Sequence, residues 1–160
     1  MSNKKIPENW TWKDLGECVD ILDRHRDPIN KTERQERLAE IDDNERVPYY
    51  GATGQTGWID DCIFDEELVL LGEDGAPFLD PYKQTAYMIR GKSWVNNHAH
   101  VLRGKSGYLN NKFLLYYLNT VDYKPYITGT TRHKLNQTRM KEIQIPVAPI
   151  GEQELIVAKR

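Results

Sequence analysis

Four consecutive apolar residues, Leu68 to Leu71 in "ELVLLGEDG", constrain the fold more than any other stretch of this chain. A run of that length, bounded by acids and stopped at Glu73, Asp74 and Gly75, predicts a buried strand ended by a turn. The neighbouring signals are of the same short scale. "WTWKDLGECVDILDR" reads as an extended lead-in and one short strand, with Leu15, Val19 and Ile21 as its apolar residues. "VPYYGATGQTGWIDD" reads as a bent strand and turn that expose Tyr49, Tyr50 and Gln55, and "TAYMIRGKSWVNNHAHVLRG" as two strands about a turn near Gly91 to Ser93. Helical patterns are few. "TERQERLAEI" spaces Thr32 and Gln35 as a capping box, and "LNNKFLLYYLNTV" sets Phe113, Leu114, Tyr117, Leu118 and Val121 on one face, with Asn110 or Asn111 as N-cap. "RMKEIQIPVAP" passes from a helical turn to a strand with Ile143, Ile145 and Val147 alternating, and "GEQELIVAKR" opens a further helix. Strands without regular βαβ alternation predict an α+β fold, a twisted and mostly antiparallel sheet with a few short helices.

The 160 residues fit one domain that buries a core without disulfide or metal staples. Cys18 and Cys62 stand far apart and outside any C-x-x-C pattern, so neither a disulfide framework nor a thiolate zinc site is expected. "MSNKKIPENW" lacks a signal-peptide core, and no apolar run approaches the roughly 18 residues of a membrane span. A soluble, cytoplasmic protein with no membrane partner is expected. Charge is segregated along the chain: residues 1–90 hold 11 Lys and Arg against 20 acids, or −9, and residues 91–160 hold 11 against 4, or +7. Between Gly91 and Lys141 stand nine Lys and Arg, one acid (Asp122) and three of the four histidines. Such a block suits a polyanion; its bland alternative is a surface neutralised by the acidic half of the fold.

Enzymatic patterns are incomplete. "DPYK" (Asp80 to Lys83) is a fragment of an amino-methyltransferase motif without its second proline, and a turn explains it better. "DYK" (Asp122 to Lys124) matches half of a metal-dependent nuclease site but has no convincing acidic partner upstream. Asp60, Asp61, Asp65, Glu66 and Glu67 lack the spacing of a calcium loop and read as a solvated edge. Gly51, Gly54 and Gly57 do not form a phosphate-binding loop. His98 and His100, two apart on an expected strand, face the same way in this reading and suit polar contacts at a binding surface or within the domain. No nucleophile elbow and no H-E-x-x-H occurs, so no catalytic residues, metal site or cofactor are assigned.

The stretch "YITGTTRHKLNQTRMKEIQIPVAP", Tyr126 to Pro149, joins Gly and Thr to Arg132, His133 and Lys134, a combination that suits an anionic partner. Its order of basic loop, "I-x-I-P-x-x-P" strand (Ile143 to Pro149) and helix opening (Glu152, Gln153, Ile156) resembles the end of a target recognition domain in the specificity subunit of type I restriction-modification systems. "WTWKDLGECVDIL", "VPYYGATGQTGWID", "ELVLLGEDGAPF", "SWVNNHAHVL" and "NNKFLLYYL" resemble that family in order and spacing, so the resemblance covers nearly the whole chain. It implies a non-catalytic reader of double-stranded DNA, domain 1–148, followed at 149–160 by the first turns of a spacer or dimerisation helix. It further implies a second recognition domain in the same chain or a dimer, a modification subunit that binds S-adenosylmethionine and methylates adenine, and a restriction subunit reached through the complex. The candidate DNA-binding residues are Gly129, Thr130, Thr131, Arg132, His133, Lys134 and Asn136 in the loop, with Tyr50, Gln55, Lys92, Asn96, Asn97 and His98 upstream. Arg132 suits guanine and the amides of Asn96, Asn97, Asn136 and Gln137 suit adenine, while Lys134, Lys92 and Lys105 suit phosphates. The other classes in play are a protein-interaction or antirestriction module and a self-sufficient nuclease or methyltransferase.

Overall fold

The computed structural model describes residues 4–159; the ends of the expected 1–148 and 149–160 units, at residues 1–3 and 160, lie outside them. The chain begins with β1 (Thr11–Asp14), a single helical turn α1 (Leu15–Cys18) and β2 (Val19–Ile21). The expected single strand is therefore interrupted: Leu15 and Cys18 lie on the buried side of a helical turn, and β1 and β2 join different sheets. A 3-10 turn, Asp23–His25, leads to α2 (Lys31–Leu38). The cap of α2 is Asn30, whose side chain accepts the Glu33 N–H at 2.8 Å, and Thr32 sits inside the first turn. The capping-box spacing at Thr32 thus marks the helix but misplaces its start. A reciprocal capping box does form on Asp42 and Glu45.

β3 (Val47–Tyr50) and β4 (Gln55–Ile59) make a hairpin; β5 (Phe64–Asp65), β6 (Leu68–Gly72), β7 (Ala86–Ile89), β8 (Lys92–Val95) and β9 (Ala99–Gly104) follow. Then come α3 (Asn111–Leu118), α4 (Gln137–Lys141), β10 (Gln144–Val147) and α5 (Ile150–Ala158). Antiparallel pairing dominates, divided among a β2-β9-β6-β7 sheet, a β4-β3-β8-β5 sheet and the β1-β10 pair. The exception is β3 against β8, parallel through Tyr49↔Trp94 and Tyr50↔Val95. The stretch expected to hold two strands holds three, because β8 leaves for the second sheet between β7 and β9.

Strand β6 is buried along its whole length, as "LVLL" demands. Alternation sends Val69 and Leu71 into the main core, against Phe113, Leu114, Met140 and Ile143, and Leu68 and Leu70 into a second core with Val95 and Val101. Each such side chain taken from water contributes about 1.5–3 kcal/mol, which makes β6 the axis of the domain. Helix α3 packs one face on this sheet, capped by Asn110, whose side chain accepts from Lys112 and Phe113. Tyr49, expected on the surface, is 3 % exposed; its hydroxyl accepts the Ile29 N–H, and the Arg34 guanidinium lies 4.2 Å above its ring. Both cysteines are free, and burial pushes the Cys18 thiol up to about 11, that of an inert thiol. Among the described residues no helix is long and apolar enough to cross a membrane.

Candidate nucleic-acid interface

Four turns remote in sequence converge beyond the ends of β3, β6, β8 and β9. The Thr128–Lys134 loop is closed by a two-way backbone bridge, Thr128 N–H to the Lys134 carbonyl at 2.8 Å and Lys134 N–H to the Thr128 carbonyl at 2.9 Å. Gly129 makes the closure possible: it has φ +90°, and a Cβ there would stand 2.5 Å from the Arg132 carbonyl oxygen. The turn after β6 backs this loop, with Asp74 bridged to Lys134 and the Gly75 N–H bonded to the His133 carbonyl. The Asn96–His98 turn joins from the other side, its His98 carbonyl accepting the Glu73 N–H at 2.8 Å. The β3–β4 turn attaches through Asn96 N–H to the Tyr50 carbonyl at 3.0 Å. One surface therefore carries Tyr50, Gln55, Asn96, Asn97, His98 and the basic loop.

Its electrostatics are organised by Asp74. Arg132 donates Nε to Asp74 Oδ1 at 2.6 Å, and His98 Nδ1 lies 3.5 Å from Oδ2. The Arg132 hydrogen bond, joined by the charges of Arg132, His98 and Lys134, holds the Asp74 carboxyl below the usual carboxylate range against the opposing effect of burial. Two-thirds of the Arg132 side chain remains exposed, and Asp74 is its one ion-pair partner among the described residues. That is an arginine braced at Nε over the Asp74–Gly75 turn with most of its side chain open to solvent, and a guanidinium can make forked contacts. Lys134 and Thr130 are exposed, and Lys134 has no ion pair among the described residues. His133 is turned back, Nδ1 3.2 Å from the Gly129 carbonyl.

Other expected residues fall elsewhere. Lys92 starts β8, paired with Asp65, at the far end of that strand from Asn96. Lys105 follows the far end of β9, its N–H on the Cys18 carbonyl. β8 runs toward the surface and β9 away from it, so each lysine stands at the remote end of its strand and neither joins the surface. Asn136 caps α4 by accepting the Arg139 N–H, and Gln137 donates to Asp23, so both amides brace the loop from behind. His98 and His100 do not share a face: His98 belongs to the turn, whereas His100 is wholly buried on β9. The acidic edge is partly ion-paired, Asp60 to Arg37, Glu66 to Arg103 and Glu67 to Arg90, while Asp61, Asp65 and Glu67 are exposed. Of these pairs, only Glu66–Arg103 reaches the basic block, and with Asp74–Arg132 it means that the acidic half does neutralise part of that block.

The two incomplete catalytic motifs line one depression of about 520 Å³, with Asp80, Lys83, Asp122 and Lys124 on its rim. Each carboxylate is spent on a turn, Asp80 accepting from the Tyr82 N–H at 2.9 Å and Asp122 from the Lys124 N–H at 3.1 Å. Sequence reasoning missed Asp74 as a member of the interface. Its only signal was its place in the turn ending the most buried strand.

A family model for the type I restriction modification DNA specificity domain matches residues 7–159. A type I restriction enzyme specificity subunit of Haemophilus influenzae is 35% identical over 146 residues, covering 91% of this chain and 35% of that protein. The chain thus spans about a third of the length of this curated relative. Among solved structures, the type I restriction-modification system S subunit from M. genitalium superposes with a TM-score of 0.70 at 17% identity, over 98% of this chain and 40% of that one. A chain from a structure of type I restriction-modification complex assembly and conformational transition gives 0.67 at 20% identity, over 98% and 38%. These two likenesses are of fold.

Proposed function

The chain belongs to the type I restriction modification DNA specificity domain family, and we propose on that premise that it reads one half of a bipartite DNA site for a restriction-modification complex. The observation that carries this reading is the convergence of four distant turns on one surface, where Asp74 braces Arg132 beside Lys134 and the Asn96–His98 turn. Lys134 and the backbone of the Gly129–Thr131 segment contact phosphates, which position the domain without specifying sequence. Specificity comes from Arg132 toward guanine and from Asn97, Asn96 and Gln55 toward adenine, with Tyr50, His98 and His133 at the margins. Lys92 lies outside this contact set, and Asn136 supports it from behind.

Residues 1–148 form the recognition unit, and α5 begins the helix that leads to a second recognition domain or a dimer partner. The domain itself is non-catalytic. Adenine methylation belongs to a modification subunit that binds S-adenosylmethionine, and cleavage to a restriction subunit reached through the same complex. The turn roles of Asp80 and Asp122 favour this over a self-sufficient nuclease or methyltransferase.

The test is transfer of labelled methyl groups from S-adenosylmethionine to mixed-sequence duplex DNA by this chain, by its modification subunit, and by both together. Methylation confined to the mixture and to one short sequence is the expected result. Methylation by this chain alone overturns the reading and returns attention to Asp80.

A further inference from the structure

Directly beneath the loop and turns, four ionisable side chains from three segments meet: Asp23 in the 3-10 turn, Arg26 just beyond it, Glu73 after β6 and His100 on β9. Asp23 is 6 % and His100 0 % exposed. His100 Nδ1 lies 2.7 Å from Asp23 Oδ2 and 3.3 Å from Glu73 Oε1, and Nε2 lies 2.6 Å from the Leu135 carbonyl oxygen. Burial pushes the Asp23 carboxyl up, but the bond and charge of His100, the Val101 N–H and Arg26 outweigh it and hold the group below the usual range. Asp23 also accepts from the Val101 N–H and the Gln137 amide, and the Leu135 carbonyl can only accept, so both ring nitrogens of His100 face acceptors and are called on to donate. Arg26 Nη1 donates to Glu73 Oε1 at 2.9 Å, which pairs the second carboxylate.

The ligand-type atoms of Asp23, Glu73 and His100 lie within 4.8 Å of one another, the spacing of a metal site. Arg26 Nη1 and the Nδ1 edge of His100 already face those carboxylates, so the donors of the cluster stand where a cation would.

Apart from the Val101 N–H on Asp23, the outward bonds of the cluster lead to the segments that carry the recognition surface. Arg26 Nη1 also reaches the Ala99 carbonyl at 3.1 Å and the Asn97 carbonyl at 3.4 Å, at the root of the Asn96–His98 turn. Leu135, the residue after Lys134, is gripped on both backbone groups: its N–H by the Glu73 carbonyl at 2.7 Å and its carbonyl by His100. Gln137 adds a bond from the start of α4 to Asp23 Oδ2 at 3.1 Å. None of these cluster side chains need touch DNA, yet together they set where the basic loop stands relative to the opposite turn.

We propose that His100 is a positioning residue for sequence discrimination: clamped between Asp23, Glu73 and the Leu135 carbonyl, it holds the basic loop in register with the Asn96–His98 turn, so base reading depends on it while phosphate affinity does not. The role rests on the DNA-reading function above. It is tested in the native complex with the modification subunit, using its methylated target duplex and a scrambled duplex across a salt series. His100→Gln is expected to lower the ratio of target to scrambled affinity about tenfold, the scale of one misread base pair, while scrambled affinity and its salt slope stay within about twofold. Equal losses on both duplexes, or an unchanged ratio, overturn the positioning role. Glu73→Gln keeps the shape and one acceptor oxygen and stands in should the first variant not fold; a ratio lowered about threefold supports the role and an unchanged ratio overturns it. Nitrogen-15 histidine spectra of the wild-type complex should find both His100 ring nitrogens protonated, and a single protonated nitrogen overturns the clamp. A wild-type complex that discriminates no sequence overturns the DNA-reading function itself, an outcome distinct from a discriminating wild type matched by its His100 variant.

Discussion

Asp74→Asn separates an arginine that reads a base from one that merely adds charge. Asn keeps the shape and the carbonyl acceptor for Arg132 Nε, now 2.6 Å from Asp74 Oδ1, and removes the negative charge standing among Arg132, His98 and Lys134. Because the Arg132 hydrogen bond holds the carboxyl below its ordinary range, Asp74 is ionised at neutral pH and cancels one of those cations in full. Removing it lets the surface neutralise one further phosphate, which steepens the logarithmic salt dependence of scrambled-duplex binding by about 0.9. Carried from 1 M to about 0.15 M salt, that change tightens scrambled binding roughly fivefold, about 1 kcal/mol. Discrimination moves the other way: a guanidinium held only by a neutral acceptor, without its ion pair, is drawn to a phosphate, and losing one forked base contact costs about 1–3 kcal/mol of specificity. Stability should barely change, since an exposed pair of this kind is worth about 0.2–1 kcal/mol. The assay is fluorescence anisotropy on labelled target and scrambled duplexes over a salt series, with wild type and variant prepared in the same complex. A salt slope that stays constant or flattens, or weaker binding to the scrambled duplex, would refute the bracing role assigned to Asp74.

Lys134→Ala keeps the backbone bridge to Thr128 and should weaken all duplexes about fivefold at physiological salt while flattening the salt slope by about 0.9, measured in the same titrations. Gly104→Ala puts a Cβ 2.1 Å from the Leu109 carbonyl oxygen, a backbone atom that cannot swing aside; a loss of about 1–3 kcal/mol is expected, read as a melting temperature lower by several degrees. Asp23→Asn leaves His100 and Arg26 with one carboxylate between them and should cost about 3–5 kcal/mol near neutral pH in denaturant titrations. Since the folded carboxyl is depressed below its unfolded value of about 4, that stabilisation is complete above it and fades as pH falls through the folded value. The wild-type advantage over Asp23→Asn should therefore shrink below about pH 4, and a gap constant down to acid unfolding would contradict the ionised pairing.

Local pattern made much of the domain legible. Four apolar residues between acids sufficed to locate β6, and the spacing of Phe113, Leu114 and Leu118 behind Asn110 or Asn111 located α3 and narrowed its cap to two residues, because burial and capping act over one or two turns of chain. The basic loop was legible for a similar reason: Gly129 and the cluster of Thr, Arg, His and Lys are neighbours in sequence as well as in space. Where neighbours in sequence part company, the reading failed. Lys92 and Asn96 are four residues apart, yet an extended strand carries them to opposite ends of β8. His98 and His100 have the spacing of one strand face, but β9 begins only at Ala99, so the turn releases one to the surface while the sheet buries the other.

The sequence by itself determined the class of fold, the strand at its centre, the segregation of charge and the family, all consequences of residue type and short-range order. Tertiary structure alone decided which charges are free to meet a polyanion. Asp23, Arg26, Glu73, Asp74 and His100 come from three separated segments, and nothing in "DILDRHRD" or "GEDG" says that their charges will be shared. Coulomb attraction depends on distance through space and on exclusion of water, and both are set by which strands pair. The same chain with a different strand order would hold the same basic loop with nothing beneath it to hold it still.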